Sequence, residues 1–252
     1  MTDFQSIART LSESLHLPLA PVAVTFADRV PEGVPTFQGS VPAGCCFWQE
    51  AATRVFATVP ADHDLCSIGV YTHHLEAGPE HAQNLQDSLK VFGDLGYVRL
   101  DDLPFIPVLN RTPKAVVYGP LGKTPLAPDV ALLFVKAGQA LILSEASQQL
   151  ENGLPPAMGR PACAVVPQAF NTGRTALSLG CCGARAYLDV LELDTALYAI
   201  PGPQLAAFTA RVAELAKANA ILTRFHAGRR KAVEAGKRPS VEESLAAMEQ
   251  PA

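Results

Sequence analysis

Six cysteines are spread along the 252-residue chain as Cys45-Cys46, Cys66, Cys163 and Cys181-Cys182, and each adjacent pair follows a glycine, in "AGCCFW" and "LGCCGAR". A chain of this length can bury a core that is stable without covalent staples, so the thiols are not needed for folding. In a reducing compartment cysteines serve as metal ligands, reactive thiols or small core residues more often than as disulfides. The sequence lacks the Cys-x-x-Cys knuckle that puts two sulfurs on one side of a zinc ion. Neighbouring side chains diverge along a strand or around a helix, so one member of each adjacent pair is the plausible ligand of a small shared centre. Four positions remain, each on its own segment: Cys45 or Cys46, Cys66, Cys163, and Cys181 or Cys182. Iron-sulfur clusters are larger than one ion and are held by thiolates, so sulfurs from widely separated loops suit a cluster at least as well as zinc.

Glycine before each pair permits close backbone approach, and a cysteine in a first helical turn gains from the helix dipole, which predicts a lowered pKa. Arg54, Arg160, Arg174 and Arg185 lie near cysteines in sequence and offer charge to offset thiolates. His63 in "ADHDLCS" and His73 and His74 in "VYTHH" flank Cys66. Imidazoles there can ligate a metal, move a proton or bind an acid, so His63, His73 and Arg185 are secondary catalytic candidates, with Asp62 and Tyr71 beside them. A blander outcome competes at each position: free cysteine is among the most buried residue types, and a hydrogen-bonded histidine is commoner than a working one. His16, His81 and His226 fall on expected helices and need no special role. No GxSxG, P-loop, HExxH or clean GxGxxG occurs, so serine hydrolase, P-loop and simple zinc-protease chemistry lack a motif.

These residues must be positioned by a mixture of helices and strands. Phe4, Ile7, Leu11 and Leu15 mark one helical face, and "PVAVTFA", "KAVVYGPL" and "DVALLFV" read as strands. "AGCCFWQEAATRVFA" reads as a helix with the cysteines in its first turn, and "TVPADHDLCSIGVYTHH" as an irregular loop. "PEHAQNLQDSLKVFGDLGY" and "AGQALILSEASQQLENG" are helical by their spacing, and the stretch from Gly202 gives one or two amphipathic helices. Without strict βαβ alternation, the expected class is α+β: a mixed sheet with flanking helices and a C-terminal helical segment. Residues 1–236 are expected to form a single domain and 237–252 a disordered tail. The halves echo each other. Cys45 precedes Ala51 by six positions and Cys66 by 21, while Cys163 precedes Ala169 by six and Cys181 by 18. A pseudo-duplication would pair Cys45 with Cys163 and Cys66 with Cys181.

A net charge of -4 gives no footprint for nucleic acid, and the basic stretch "HAGRRKAVEAGKR" reads as a solvated helix end. The most apolar run, "DVALLFVKAGQALILSEA", is broken by Lys136 and Gln139, so no membrane span is expected. The opening "MTDFQSIARTLSESLHLP" lacks a basic start followed by an apolar run, and a cytoplasmic location is expected.

"AGCCFWQEA", "DHDLCSIGVYTHH", "VVYGPLGKTPLAPDVALLF", "PACAVVPQA", "SLGCCGARAY" and "AIPG" together resemble the domain-of-unknown-function 169 family of prokaryotic cysteine-containing proteins, from about Leu17 to Gly202. The resemblance implies Cys45, Cys66 and Cys181 as the recurrent positions, with Cys163 as the fourth, and leaves Cys46 and Cys182 as neighbours particular to this chain. It supplies no reaction. The expectation is an iron-sulfur protein with Cys45, Cys66, Cys163 and Cys181 around one cluster, 4Fe-4S by ligand number, with redox or sulfur-handling activity and an electron-transfer or sulfur-transfer partner. A zinc-stabilised binding module, with no catalysis, is the alternative. A thiol-redox protein using adjacent cysteines ranks last, because an adjacent-residue disulfide is strained. The apolar C-terminal helices fit equally well within one chain or across a homodimer.

Overall fold

The computed structural model describes residues 2–76 and 78–249. Seven strands, β1 (Val22–Ala27), β2 (Phe56–Thr58), β3 (Ala115–Pro120), β4 (Val130–Lys136), β5 (Ala157–Met158), β6 (Ala176–Ser178) and β7 (Thr195–Pro201), form one sheet in the order β2-β3-β1-β4-β7-β6-β5. Every pairing is antiparallel except β5 with β6, so the sheet is mixed and the class is α+β.

Both faces of the sheet are covered, which is why the central strands read as continuous apolar runs. On one face Ala23, Ala131, Leu133, Val135, Tyr198 and Ile200 meet α1 (Phe4–Leu15), α5 (Ala137–Leu150) and the first half of α8 (Leu205–Glu234). The alternate residues, Val22, Val24, Phe26, Val130, Leu132, Phe134, Leu197 and Ala199, meet the cysteine-bearing helices on the other face. Those helices are α2 (Cys46–Ala51), α3 (Ser67–Thr72), α6 (Val165–Thr172) and α7 (Cys182–Tyr187). The expected Ile7, Leu11 and Leu15 stripe of α1 is buried, and Asp3 caps that helix by accepting the Ser6 N–H at 3.0 Å.

The echo between the halves is written into the register. β1 and β4 pair antiparallel with Ala23 opposite Ala131, so a pseudo-two-fold axis perpendicular to the sheet passes between them. Val22 pairs with Pro120 as Val130 pairs with Pro201, and Phe56–Tyr118 and Thr58–Val116 recur as Ala176–Ala199 and Ser178–Leu197. The edges repeat too: Thr36 bridges Ala57 in parallel, as Met158 pairs in parallel with Leu177. α2 and α3 therefore correspond to α6 and α7. Two connections break the repetition: residues 137–156, with α5, join β4 to β5 where 28–35 join β1 to Thr36, and residues 73–114 join α3 to β3 where only 188–194 join α7 to β7. The 73–114 connection carries α4 (Pro79–Asp94).

Three parts of the fold depart from expectation. "AGCCFWQEAATRVFA", expected as one helix, is helical in α2 only as far as Ala51 and enters β2 at Phe56. "TVPADHDLCSIGVYTHH", expected as an irregular loop, contains α3, and the segment from Lys237, expected as a disordered tail, carries α9 (Val241–Glu249). α9 starts at a capping box, with Glu243 accepting the Ser240 N–H at 2.7 Å and Ser240 accepting the Glu243 N–H at 3.1 Å. It folds back on α8, burying Ser244 and Phe225. Residues 250–252 lie outside the described chain.

Candidate functional site

Cys45, Cys66, Cys163 and Cys181 each stand at or just before the N-terminus of a helix, and all four line one cavity of about 470 Å³. The pseudo-two-fold relates Cys45 at the head of α2 to Cys163 in the turn before α6, and Cys66 before α3 to Cys181 before α7. Cys66 Sγ accepts the Gly69 N–H at 3.3 Å, and Cys181 Sγ accepts the Ala184 N–H at 3.4 Å. In each case a sulfur takes up an amide that has no partner inside its own helix. Cys182 also lines the cavity, whereas Cys46 turns toward the Tyr187 carbonyl at 3.9 Å.

The two glycines before the cysteine pairs have separate reasons. A Cβ on Gly44 would lie 3.1 Å from His63 Nδ1, so the Cys45 turn rests directly on a buried imidazole. Gly180 has φ +86°, a left-handed backbone that also brings Leu191 within 3.0 Å of where a Cβ would sit.

Among Cys45, Cys46, Cys66 and Cys163, the expected acidification is met by Cys46 alone. A hydrogen bond from Cys45 lowers the Cys46 pKa to about 7, and the same bond, followed by burial and the nearby Cys66 and Cys163, raises that of Cys45. Burial raises Cys66, with Cys181 and Cys46 adding to the rise and the Gly44 and Gly69 amides opposing it. Cys163 is raised by burial and then by Cys66. Desolvation and mutual repulsion thus overcome the short helix ends. Without a cation among them Cys45, Cys66 and Cys163 stay protonated at neutral pH, and a bound metal reverses that balance because a coordinating thiol is deprotonated outright.

The secondary candidates occupy supporting places. Buried His63 meets Thr58 Oγ1 at 3.0 Å through Nε2, and its Nδ1 has no hydrogen-bond partner among the described residues. His73 Nδ1 lies 3.2 Å from the Gly69 carbonyl, its Nε2 is likewise unpartnered, and its ring lies against Phe26. Burial pulls the His63 pKa down to about 3 and the His73 pKa down to about 4. Neither side chain lines the cavity. Asp62 accepts the Val59 N–H at 2.7 Å, and Tyr71 is partly exposed.

The arginines divide in the same way. Arg185 donates to the carbonyls of Leu179, Glu192 (2.6 Å) and Thr195 (3.1 Å), with Leu191 at 3.5 Å, and so fastens the Cys181 turn to the start of β7. Arg54 pairs with Glu50 at 3.1 Å and lies over the Phe37 and Phe56 rings. Arg174 pairs with Glu151 at 3.4 Å. Arg160 alone of the four lines the cavity.

Sequence reasoning passed over the cavity's roof. Ser88, Leu89 and Phe92 of α4, with Tyr97, Val98 and Ile106 beyond it, line the same space as the sulfurs. His81, expected to be an ordinary helical histidine, is buried and ties α4 to Asp64 at 3.1 Å, two residues before Cys66. An acidic residue just before a cysteine and a histidine on the following helix were the available signal, too common a pattern to act on.

Fold and site together describe an α+β protein with a quasi-symmetric sheet and a thiol-lined cavity on one face. The chain belongs to the family described as uncharacterised ArCR, DUF169, whose model matches residues 10–210. That span includes all six cysteines and ends just inside α8. Comparison with curated proteins and with solved structures returned no match. Among the described residues, no helix is long and apolar enough to cross a membrane.

Proposed function

We propose that this is an iron-sulfur protein of the cytoplasm in which Cys45, Cys66, Cys163 and Cys181 hold one cluster, 4Fe-4S by ligand number. The observation that carries the proposal is the meeting of four sulfurs, from four helix starts related by the pseudo-dyad, around a single cavity. Among the described residues, no three His, Cys, Asp or Glu side chains are grouped closely enough to hold one metal ion. Sulfurs contributed by four separate segments suit a multinuclear cluster at least as well as a single zinc ion. The chemistry a cluster supplies when bound is electron transfer or, with one iron left open, Lewis-acid or sulfur-handling work. The chain's own groups would tune it: the Gly69 and Ala184 amides donate to two of the sulfurs, and the apolar roof restricts water. An electron-transfer or sulfur-transfer partner goes with this function.

The test is purification without oxygen, followed by visible absorption and assay of iron, zinc and acid-labile sulfide per chain. A brown protein with matching iron and sulfide is expected. A colourless protein with zinc would replace the cluster by a structural ion. Protein that remains metal-free after reconstitution would leave the cysteines as reactive thiols or core.

A further inference from the structure

The four sulfurs account for the floor of the cavity and leave its roof unexplained. The roof comes from residues 73–114, a connection the second half matches only with residues 188–194, whereas the cysteines are contributed equally by both halves. Holding a cluster does not require it. Leu75 and Leu109 of this segment join the core, but α4 buries only His81, and the apolar side chains of Leu89, Phe92, Val98 and Ile106 line the cavity. The whole cavity of about 470 Å³, the space between the sulfurs included, falls within the range of small-molecule sites, and the roofed part is a share of it.

Its electrostatics narrow the class of molecule. Among the described residues, Arg160 is the only formally charged one lining the cavity, and no acidic, lysine or histidine side chain lies on its wall. Among the described residues, the charged partner of Arg160 is Asp102, with Nη2 3.7 Å from Oδ2, beyond hydrogen-bonding distance. Among the described residues the guanidinium fork, with five N–H donors, is 65% exposed and pairs with Asp102 without a direct hydrogen bond, unlike that of Arg185, which is engaged by carbonyls. Its planar geometry matches a carboxylate held through two parallel bonds.

We propose that the roofed part of the cavity binds a small organic monoanion, an acid with an apolar or aromatic body, whose carboxylate sits on Arg160 while its body lies against Leu89, Phe92 and Ile106. The site lies beside the proposed cluster and deepens that function by naming the substrate class. It is lined by residues other than the ligand sulfurs, so the two claims separate.

The test is calorimetric titration of the full-length protein with benzoate, phenylacetate and 3-phenylpropionate, each run beside its neutral carboxamide. Iron and sulfide are measured on the same sample, so a missing cluster is read independently of ligand binding. At least one acid is expected to bind tenfold or more tightly than its amide. Arg160→Gln should remove that preference without changing amide binding, Asp102→Asn should strengthen acid binding, and Arg224→Gln on exposed α8 should leave it unchanged. Acids that bind no tighter than their amides in the native protein, or a preference that survives Arg160→Gln, would overturn the proposal.

Discussion

Replacing Arg185 by Gln removes the fastener between the Cys181 turn and β7. The guanidinium donates to the carbonyls of Leu179, Glu192 and Thr195, with Leu191 at the edge of reach. A hydrogen bond to a charged group contributes about 1.5–3 kcal/mol net, and partial exposure of Arg185 puts each bond here near the low end. Glutamine reaches at most one of these carbonyls, so the loss is about 3 kcal/mol. In a protein of this size, each kcal/mol moves the unfolding midpoint by roughly 2–4 °C, which gives a fall of roughly 6–12 °C. Thermal unfolding followed by far-UV circular dichroism measures it. Arg185→Lys should fall between the two, since an ammonium keeps the charge but cannot span several carbonyls. A midpoint for Arg185→Gln within about 2 °C of the parent would show that the fastener carries no energy.

Three further expectations rest on different contacts. A Cβ on Gly69 would lie 2.8 Å from Cys66 Sγ, so Gly69→Ala should displace that sulfur and lower bound iron while far-UV circular dichroism stays native; Gly228→Ala, with nothing within 4 Å, should instead gain about 0.5–1 kcal/mol of stability. Acid should weaken the metal-free fold early. His63 and His73 stay neutral in the folded chain down to about 3 and about 4, whereas in the unfolded chain they take protons from about 6.5. Stability is therefore complete above about pH 7 and declines as pH falls toward 4, by about 2.7 kcal/mol per pH unit near pH 5 for two protons. Urea midpoints between pH 5 and 7 check this, and a His73→Gln variant with an acid slope equal to the parent's would contradict it. Finally, iodoacetamide at pH 7.5 should label Cys46 before Cys45 in metal-free protein, since the one hydrogen bond from Cys45 to Cys46 lowers the Cys46 pKa and raises that of Cys45; mass spectrometry of the peptides would decide, and equal labelling would refute it.

Much of the framework was legible because it rests on periodicity. The stripe of α1, the apolar runs of β1, β3 and β4, and the helical spacing of α4 and α5 each extend over enough residues to show a period. β2 and β6, with three residues each, are too short to show one. The correspondence of Cys45 with Cys163 and of Cys66 with Cys181 was visible as spacing, but its cause, a sheet repeated about the Ala23–Ala131 pair, exists only in the register. The thiol pKa values were misjudged for a physical reason: helix position is local and can be read from sequence, whereas burial and the approach of other sulfurs are not. The sequence pointed to Arg185 rather than Arg160 as a catalytic candidate, and the structure reverses their places. Folding turns Arg160 toward the cavity and surrounds Arg185 with carbonyls.

The most direct test of the four-cysteine centre is to replace each of the six cysteines by serine in turn and measure iron and acid-labile sulfide per chain after anaerobic purification. Cys45→Ser, Cys66→Ser, Cys163→Ser and Cys181→Ser should each lose the cluster or most of it, while Cys46→Ser and Cys182→Ser keep parental content. Full retention of iron and sulfide in any of the first four, or their loss in Cys46→Ser or Cys182→Ser with the fold intact, would contradict the assignment.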